Sequence, residues 1–377
     1  MSAIRPFQVS IDHPTIDDLK QRLATTRWPE KETPQDWSQG VPLEFCQSIV
    51  EYWQTTYDMQ RLPTRLNAHP NFMTEIDGLD IHFMHIQSEQ PNAKPLILTH
   101  GWPGSVVEFL NVIPLLCAPA SHGAPTAQAY HLVIPSLPGF GFSGKPATTG
   151  WGTEKIAFAW AQLMARLGYT QYFAQGGDWG AIVTSTLGRV DPDHCRAIHL
   201  NMVVSPPDPN AKDLTPAEIS GLQGLQHYQA WDSGYSKQQS TRPQTLGYAL
   251  VDSPAGQAAW ILEKFWAWTD CEGNPENVLS RDDMLDNIMV YWVNAAAASS
   301  ARLYWESFGS GIGEQITVPM GGTIFPKEIF RTSKRFAERL YPNIIYWSEK
   351  DKGGHFAAFE QPEVFATEVR ACFGRIN

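Results

Sequence analysis

The pentad Gly176-Gly177-Asp178-Trp179-Gly180 places an aspartate between small residues. It follows the short apolar run Tyr172-Phe173-Ala174-Gln175 and precedes a helical stretch opening at Ala181. A strand, a Gly-x-nucleophile-x-Gly turn and a helix together lift one side chain above a parallel sheet. Small flanking residues permit the strained turn. A carboxylate held there can displace a leaving group from saturated carbon and form an ester. The plainer alternative is an aspartate that only caps the following helix.

An aspartyl ester must be released by water, so a base is needed later in the chain. His355 lies in the glycine-flanked loop Lys352-Gly353-Gly354-His355-Phe356 and is the candidate. A nucleophile elbow is followed in chain order by an acid and then the histidine. Glu328, Glu349 and Asp351 are the acids in reach. Glu349 and Asp351 stand too near His355 along the chain to fold back on it. Glu328 follows the strand expected to end near Met320 and is favoured.

The segment His100-Gly101-Trp102-Pro103-Gly104-Ser105 ends an earlier strand. The backbone N–H groups of Trp102 and Trp179 are placed to receive the oxyanion that develops when water attacks the ester. His100 reads as a structural hydrogen-bonding residue, and Ser143 as a turn residue. If the leaving group is an epoxide oxygen, phenols must donate to it. Tyr235 and Tyr304 are offered by a helical region; Tyr57, Tyr248 and Tyr291 are also available, and composition does not select a pair.

These groups need a scaffold. Residues 1–85 show amphipathic pieces and loops without strand–helix alternation, as an arm wrapped over something larger would. Their end, Phe72–Ile76 and Leu79–His85 around Asp77-Gly78, is a hairpin pattern. Alternation then begins. Strands are expected at 95–99, 131–135, 172–175 and 197–201, with helices at 106–116 and 153–167 between them. Such units imply a mostly parallel sheet covered by helices on both faces. The alternation stops at Ser205-Pro206-Pro207, and helices at 258–268 and 284–304 dominate the region up to 312. Strands resume at 316–320 and 343–347. The reading is therefore an arm at 1–85, core segments at 86–204 and 313–377, and a helical lid at 205–312. Trp260, Trp266, Trp268, Trp292 and Trp305 are candidates to line an apolar pocket under that lid.

At 377 residues the chain can bury one large core with an insertion. A net charge of −11 disfavours nucleic acid and anionic membranes as partners. Five scattered cysteines without a CxxC pair fit reduced thiols in a cytoplasm. The N-terminus carries no apolar signal segment, and the apolar run 288–298 is too short for a bilayer.

The chain resembles the microsomal-type epoxide hydrolases, including the juvenile hormone epoxide hydrolases, over nearly its full length. The matching segments are Thr26-Arg27-Trp28-Pro29, His100–Ser105, Gln175–Gly180, Arg242-Pro243-Gln244-Thr245, Asp252-Ser253-Pro254, Leu262-Glu263-Lys264-Phe265 and Gly353–Glu360. The resemblance implies an α/β-hydrolase fold with a helical lid insertion and an N-terminal wrapping arm. It implies Asp178 as nucleophile, His355 as base, Glu328 as its orienting acid, and Tyr235 and Tyr304 as the activating phenols. It implies no cofactor and no metal, a small apolar epoxide as substrate, and a vicinal diol as product. The membrane-anchor helix of mammalian microsomal members is not matched, in keeping with a cytoplasmic protein; a homodimer stays open. Haloalkane dehalogenase chemistry and a non-catalytic ligand-binding role are the alternatives.

Overall fold

The computed structural model describes residues 3–309 and 314–376. The expected end of the lid at 312 lies outside those residues. Nine strands form one sheet: β1 Arg5–Phe7, β2 Asn71–Ile76, β3 Leu79–Ile86, β4 Lys94–Thr99, β5 Tyr130–Pro135, β6 Tyr172–Gly176, β7 Cys195–Leu200, β8 Met320–Ile324 and β9 Ile344–Glu349. Their order is β1-β2-β3-β5-β4-β6-β7-β8-β9. β1, β2, β3 and β5 pair antiparallel; from β5 through β4 to β9 the pairing is parallel. This is an α/β-hydrolase fold.

The apolar central strands explain the core. Leu96, Ile97 and Leu98 of β4 and Ala174 of β6 are fully buried, as strands covered on both faces require. From β4 the chain runs to β5 on one side and then returns to β6 on the other. That reversal opens a crevice at the C-terminal ends of β4 and β6, where ligands bind in open α/β sheets. The loops carrying Trp102 and Asp178 leave from those ends.

Several boundaries differ from the sequence expectations. β1 has no counterpart among them, because three residues carry too little periodicity to register. The helix expected at 106–116 is a short 3₁₀ turn, Val106–Phe109, followed by Ile113–Cys117. The helix expected at 284–304 is two, Arg281–Val293 and Ala297–Ser307, parted where Ala295 adopts φ 44°. The strand expected at 316–320 lies at Met320–Ile324 instead. Two glycines mask that strand in the sequence, but both are needed there. A Cβ on Gly321 would stand 2.3 Å from Cys372 Sγ, and one on Gly322 would stand 2.9 Å from the Trp347 ring.

Between β7 and β8 the helices Pro216–His227, Gly234–Thr241, Pro243–Asp252, Pro254–Trp268, Arg281–Val293 and Ala297–Ser307 form the lid. Among the described residues no helix is long and apolar enough to cross a membrane. The N-terminal arm clamps the lid. Tyr57 Oη, Arg61 Nη1 and Arg65 Nη1 each donate to the buried Asp286 carboxylate at 2.6 Å. The Trp37 ring stacks on Trp266 at 5.1 Å. Removing one partner of a buried ion network strands the others. Asp286→Ala is therefore expected to cost about 3 kcal/mol of stability, near the low end for such sites because both guanidiniums keep some solvent contact. Calorimetry should show a fall of several degrees in Tm; an unchanged Tm would mean that the clamp does not stabilise the lid.

Candidate active site

Asp178 sits at the end of β6 with φ 52° and ψ −131°. A non-glycine residue in that region carries strain of about 1–3 kcal/mol. The surrounding glycines make the turn feasible. A Cβ on Gly176 would lie 2.1 Å from the Gly180 carbonyl oxygen, and one on Gly180 would lie 1.9 Å from that of Thr99. Asp178 makes no side-chain cap to its helix, Trp179–Val190. Its carboxylate points into the crevice instead, so the capping alternative falls away.

One carboxylate oxygen, Oδ1, accepts the Trp102 N–H at 2.8 Å. The other, Oδ2, lies 3.2 Å from His355 Nε2. The opposite ring nitrogen of His355, Nδ1, donates to Glu328 Oε1 at 2.6 Å. Glu328 is itself oriented by the Ile329 N–H at 2.7 Å. Sequence reasoning thus names three side chains that the fold brings into one line. Glu349 and Asp351 do not join them. Trp179 N–H makes no hydrogen bond to Asp178 among the described residues.

Burial would strip the proton from His355, but the Glu328 and Asp178 carboxylates overcome it and hold the imidazole well above its usual value of 6.5. The loop is fixed from the lid side. Its His355 N–H donates to the Trp268 carbonyl at 2.8 Å. Glu360 bridges the Phe356 N–H at 3.2 Å and the Asp270 N–H at 2.9 Å.

The two phenols converge from different lid helices. Tyr235 stacks on Trp102 with centroids 4.8 Å apart and rings 10° from parallel. Tyr304 stands edge-on to Trp179 at 4.9 Å and to Tyr235 at 5.7 Å. Both are buried, and desolvation raises both well above the ordinary phenol value; Tyr304, Tyr228 and Asp178 add to the rise at Tyr235, while at Tyr304 Asp178 and Tyr228 add to it and the Tyr235 and Trp179 side chains oppose it. They stay protonated donors across the working pH range. Tyr304 Oη has no hydrogen-bond partner among the described residues. A buried hydroxyl left unpaired costs roughly 1–3 kcal/mol.

Two residues of this cluster are given no role by the sequence reading, although Lys264 falls in one of the matching segments. Tyr228 Oη lies 3.0 Å from Tyr235 Oη. The two are seven residues apart, two turns of a helix, and that spacing is the available signal; a π-helical turn at Tyr228–Asp232 intervenes. The buried Lys264 places its ammonium 4.7 Å from the Tyr235 ring centroid and pairs with Glu263 at 2.6 Å. A desolvated cation over a ring face is attractive.

The tryptophan expectation is corrected in part. Trp268 meets Trp102, Tyr235 and His355. Trp305 is 51% exposed, and Trp266 faces the arm through Trp37. Trp260 donates to Gln239, and Trp292 borders an outer hollow with Pro14 and Arg22. A helix has several faces, and only one can meet the crevice. His100 and Ser143 are structural, as expected. The buried His100 ring accepts the Leu137 N–H at 3.2 Å, and burial lowers its pKa to about 4. Ser143 donates to the Ser136 carbonyl at 2.7 Å.

Comparison with known proteins agrees with this geometry. Residues 4–109 match the epoxide hydrolase N terminus, and residues 94–230 match the α/β-hydrolase fold. A Stigmatella aurantiaca protein inferred to be an epoxide hydrolase is 54% identical over 99% of this chain and 86% of its own. Epoxide hydrolase 1 of Sus scrofa is 36% identical over 100% of this chain and 89% of its own. The crystal structure of juvenile hormone epoxide hydrolase from the silkworm Bombyx mori superposes with a TM-score of 0.92 at 33% identity, covering 99% of this chain and 95% of that one.

Proposed function

This chain belongs to the epoxide hydrolase family, whose members turn an epoxide into a vicinal diol through a covalent aspartyl ester, and from that premise we propose which of its residues perform each step. Tyr235 and Tyr304 hold the epoxide oxygen by hydrogen bonds while Asp178 Oδ2 attacks one ring carbon. The C–O bond of the ring breaks, and its electron pair takes a phenolic proton, leaving a hydroxyalkyl ester on Asp178.

Esterification removes the charge of Asp178 and with it one of the causes that keep a proton on His355. The imidazole then returns its proton through the site to the phenolate and becomes a base, still oriented by Glu328. Water gives a proton to His355 Nε2 and its oxygen to the Asp178 carboxyl carbon. The Trp102 N–H, already aimed at Oδ1, receives the developing oxyanion; Trp179 N–H is the second proposed donor. Collapse of the adduct expels the diol, which takes the proton back from His355, and the regenerated Asp178 acid then passes its own proton to His355 Nε2 to restore the starting pair. The observation that carries this reading is the unpartnered, buried Tyr304 hydroxyl beside Tyr235, facing a carboxylate backed by a histidine.

The Trp102 and Tyr235 rings, stacked on each other with Trp268 edge-on to both, favour a small apolar epoxide. The arm, residues 1–85, is proposed as the clamp that keeps the lid, 205–312, over core segments 86–204 and 313–377. Five buried free cysteines support a reducing, cytoplasmic setting. The net charge of −11 supports a partner list without nucleic acid or anionic membrane, and a homodimer is for sizing experiments to decide.

A single turnover in heavy-oxygen water with excess protein tests the scheme. The heavy oxygen should enter the peptide carrying Asp178, and the first diol released should carry none. Label appearing first in the diol would refute the ester.

A further inference from the structure

Behind Asp178 lies a cavity of about 20 Å³, walled by Asp178, His355, Glu108, Gly104, Phe109 and Ala358. A water needs ~10–15 Å³ of such space and two to four polar partners. This hollow has room for one water and not for a substrate. Its lining brings together the nucleophile, the histidine and a carboxyl of no assigned role, Glu108.

Glu108 reaches this place through local structure. Ser105 and Glu108 stand at the capping-box spacing, and the Ser105 hydroxyl accepts the Val107 N–H at 3.2 Å. The glutamate folds back over Gly104, where a Cβ would come within 1.4 Å of its Oε1. Gly104 is therefore small so that this carboxyl can lie against the crevice loop. Burial pushes the Glu108 carboxyl up to about 8, the Asp178 charge adds to this, and His355 and the Ser105 N–H oppose it. Burying a carboxyl is costly, and a glutamine would serve the Ser105 N–H equally well as a cap. The acid is retained beside the cavity for another reason.

We propose that Glu108, in its ionised form, positions the hydrolytic water: one carboxylate oxygen faces the Ser105 N–H, and the other accepts a hydrogen of a water seated in this cavity. His355 Nε2 accepts the other hydrogen, and the water oxygen then faces the carboxyl carbon of the Asp178 ester. This rests on the ester reading above. It adds that the attacking water approaches from behind the nucleophile, away from the phenols and the diol. An ester flanked by bulky substituents is thus hydrolysed without the product having to move aside.

Glu108→Gln tests it. Assayed above pH 8, where the Glu108 carboxyl is ionised, the amide oxygen can keep the Ser105 N–H, which turns the NH₂ toward the water and replaces an acceptor with a donor. Misplacement of a reacting group by about 1 Å can cost on the order of 10²-fold. Ester hydrolysis and kcat should fall by about 10²-fold. KM should fall with them, so that kcat/KM, which reports only steps through alkylation, stays within about twofold. Intact-protein mass should show the adduct accumulating during turnover. Ala358→Val narrows the same cavity through another of its lining residues, with Glu108 untouched, and the same split is expected. Wild-type hydrolysis in both variants, or equal losses in kcat and kcat/KM, would overturn the proposal. Absence of any adduct, even in a His355→Gln background, would instead sink the ester reading itself.

Discussion

His355→Gln should open an epoxide once and then stop. The introduced glutamine fits the space of the imidazole and leaves Asp178 ionised against the Trp102 N–H, so the carboxylate can still attack. The amide cannot take a proton from water. Loss of a general base removes roughly 10²–10⁴-fold. Here the loss should fall within that range: Glu328 is fixed on the far side of the ring, while Glu108 borders the water cavity and keeps some base strength there. One equivalent of substrate should raise the intact mass by the mass of that substrate, and the adduct should persist for hours. An unshifted mass with normal diol production would exclude His355 as the hydrolytic base.

The same change should alter stability with pH, and the sign follows from the direction of the shift. The folded imidazole holds its proton to a higher pH than the usual 6.5. Its ion pairs therefore stabilise the fold in full below about pH 6.5 and fade as pH rises through the folded value. The wild-type advantage in Tm over His355→Gln should be widest on the acid side and narrow toward alkaline pH. Melting curves across that range decide it.

Tyr235→Phe with Tyr304→Phe should suppress the first step. The alkoxide formed on ring opening would then have no donor in a dry pocket. Removing one such donor commonly costs 10²–10³-fold, so the double change should slow alkylation by roughly 10⁴-fold or more. Trp102 lies against Tyr235 and Trp179 against Tyr304, so stopped-flow tryptophan fluorescence reads the step directly. The single variants should differ. Tyr304→Phe removes a buried hydroxyl with no other partner and should raise Tm, since the cost of leaving it unpaired is relieved. Tyr235→Phe takes from Tyr228 its 3.0 Å partner, with only Ser236 at 3.5 Å remaining, and should also lower Tm. Alkylation of the double variant at wild-type speed would remove the phenols from the mechanism.

The pentad around Asp178 is legible because local rules govern it: glycine at both turn positions, a strand before, a helix after. The His355 loop is legible for the same reason, through its glycines. Chain order then narrows the acid to three residues, and Glu328 lies where the favoured choice puts it even though the strand before it falls four residues later than expected. That strand is hard to read because glycines replace the apolar side chains that periodicity detects, and the crowding that demands them comes from Cys372 and Trp347, distant in sequence. The lid tyrosines need resemblance, since a helix offers many tyrosines and spacing cannot tell a phenol that faces the crevice from one that packs.

Sequence by itself thus determined the reaction type, because the nucleophile turn, the order of acid and histidine, and the strand–helix rhythm are all encoded within short stretches of chain. Tertiary structure alone decided the environment that makes those groups reactive. Which tryptophan meets the pocket, why Tyr304 Oη is unpaired, how Tyr228 and Lys264 surround Tyr235, and that Glu108 borders a one-water cavity all depend on desolvation and on distances between segments far apart in the chain. Such distances arise only when the sheet closes under the lid.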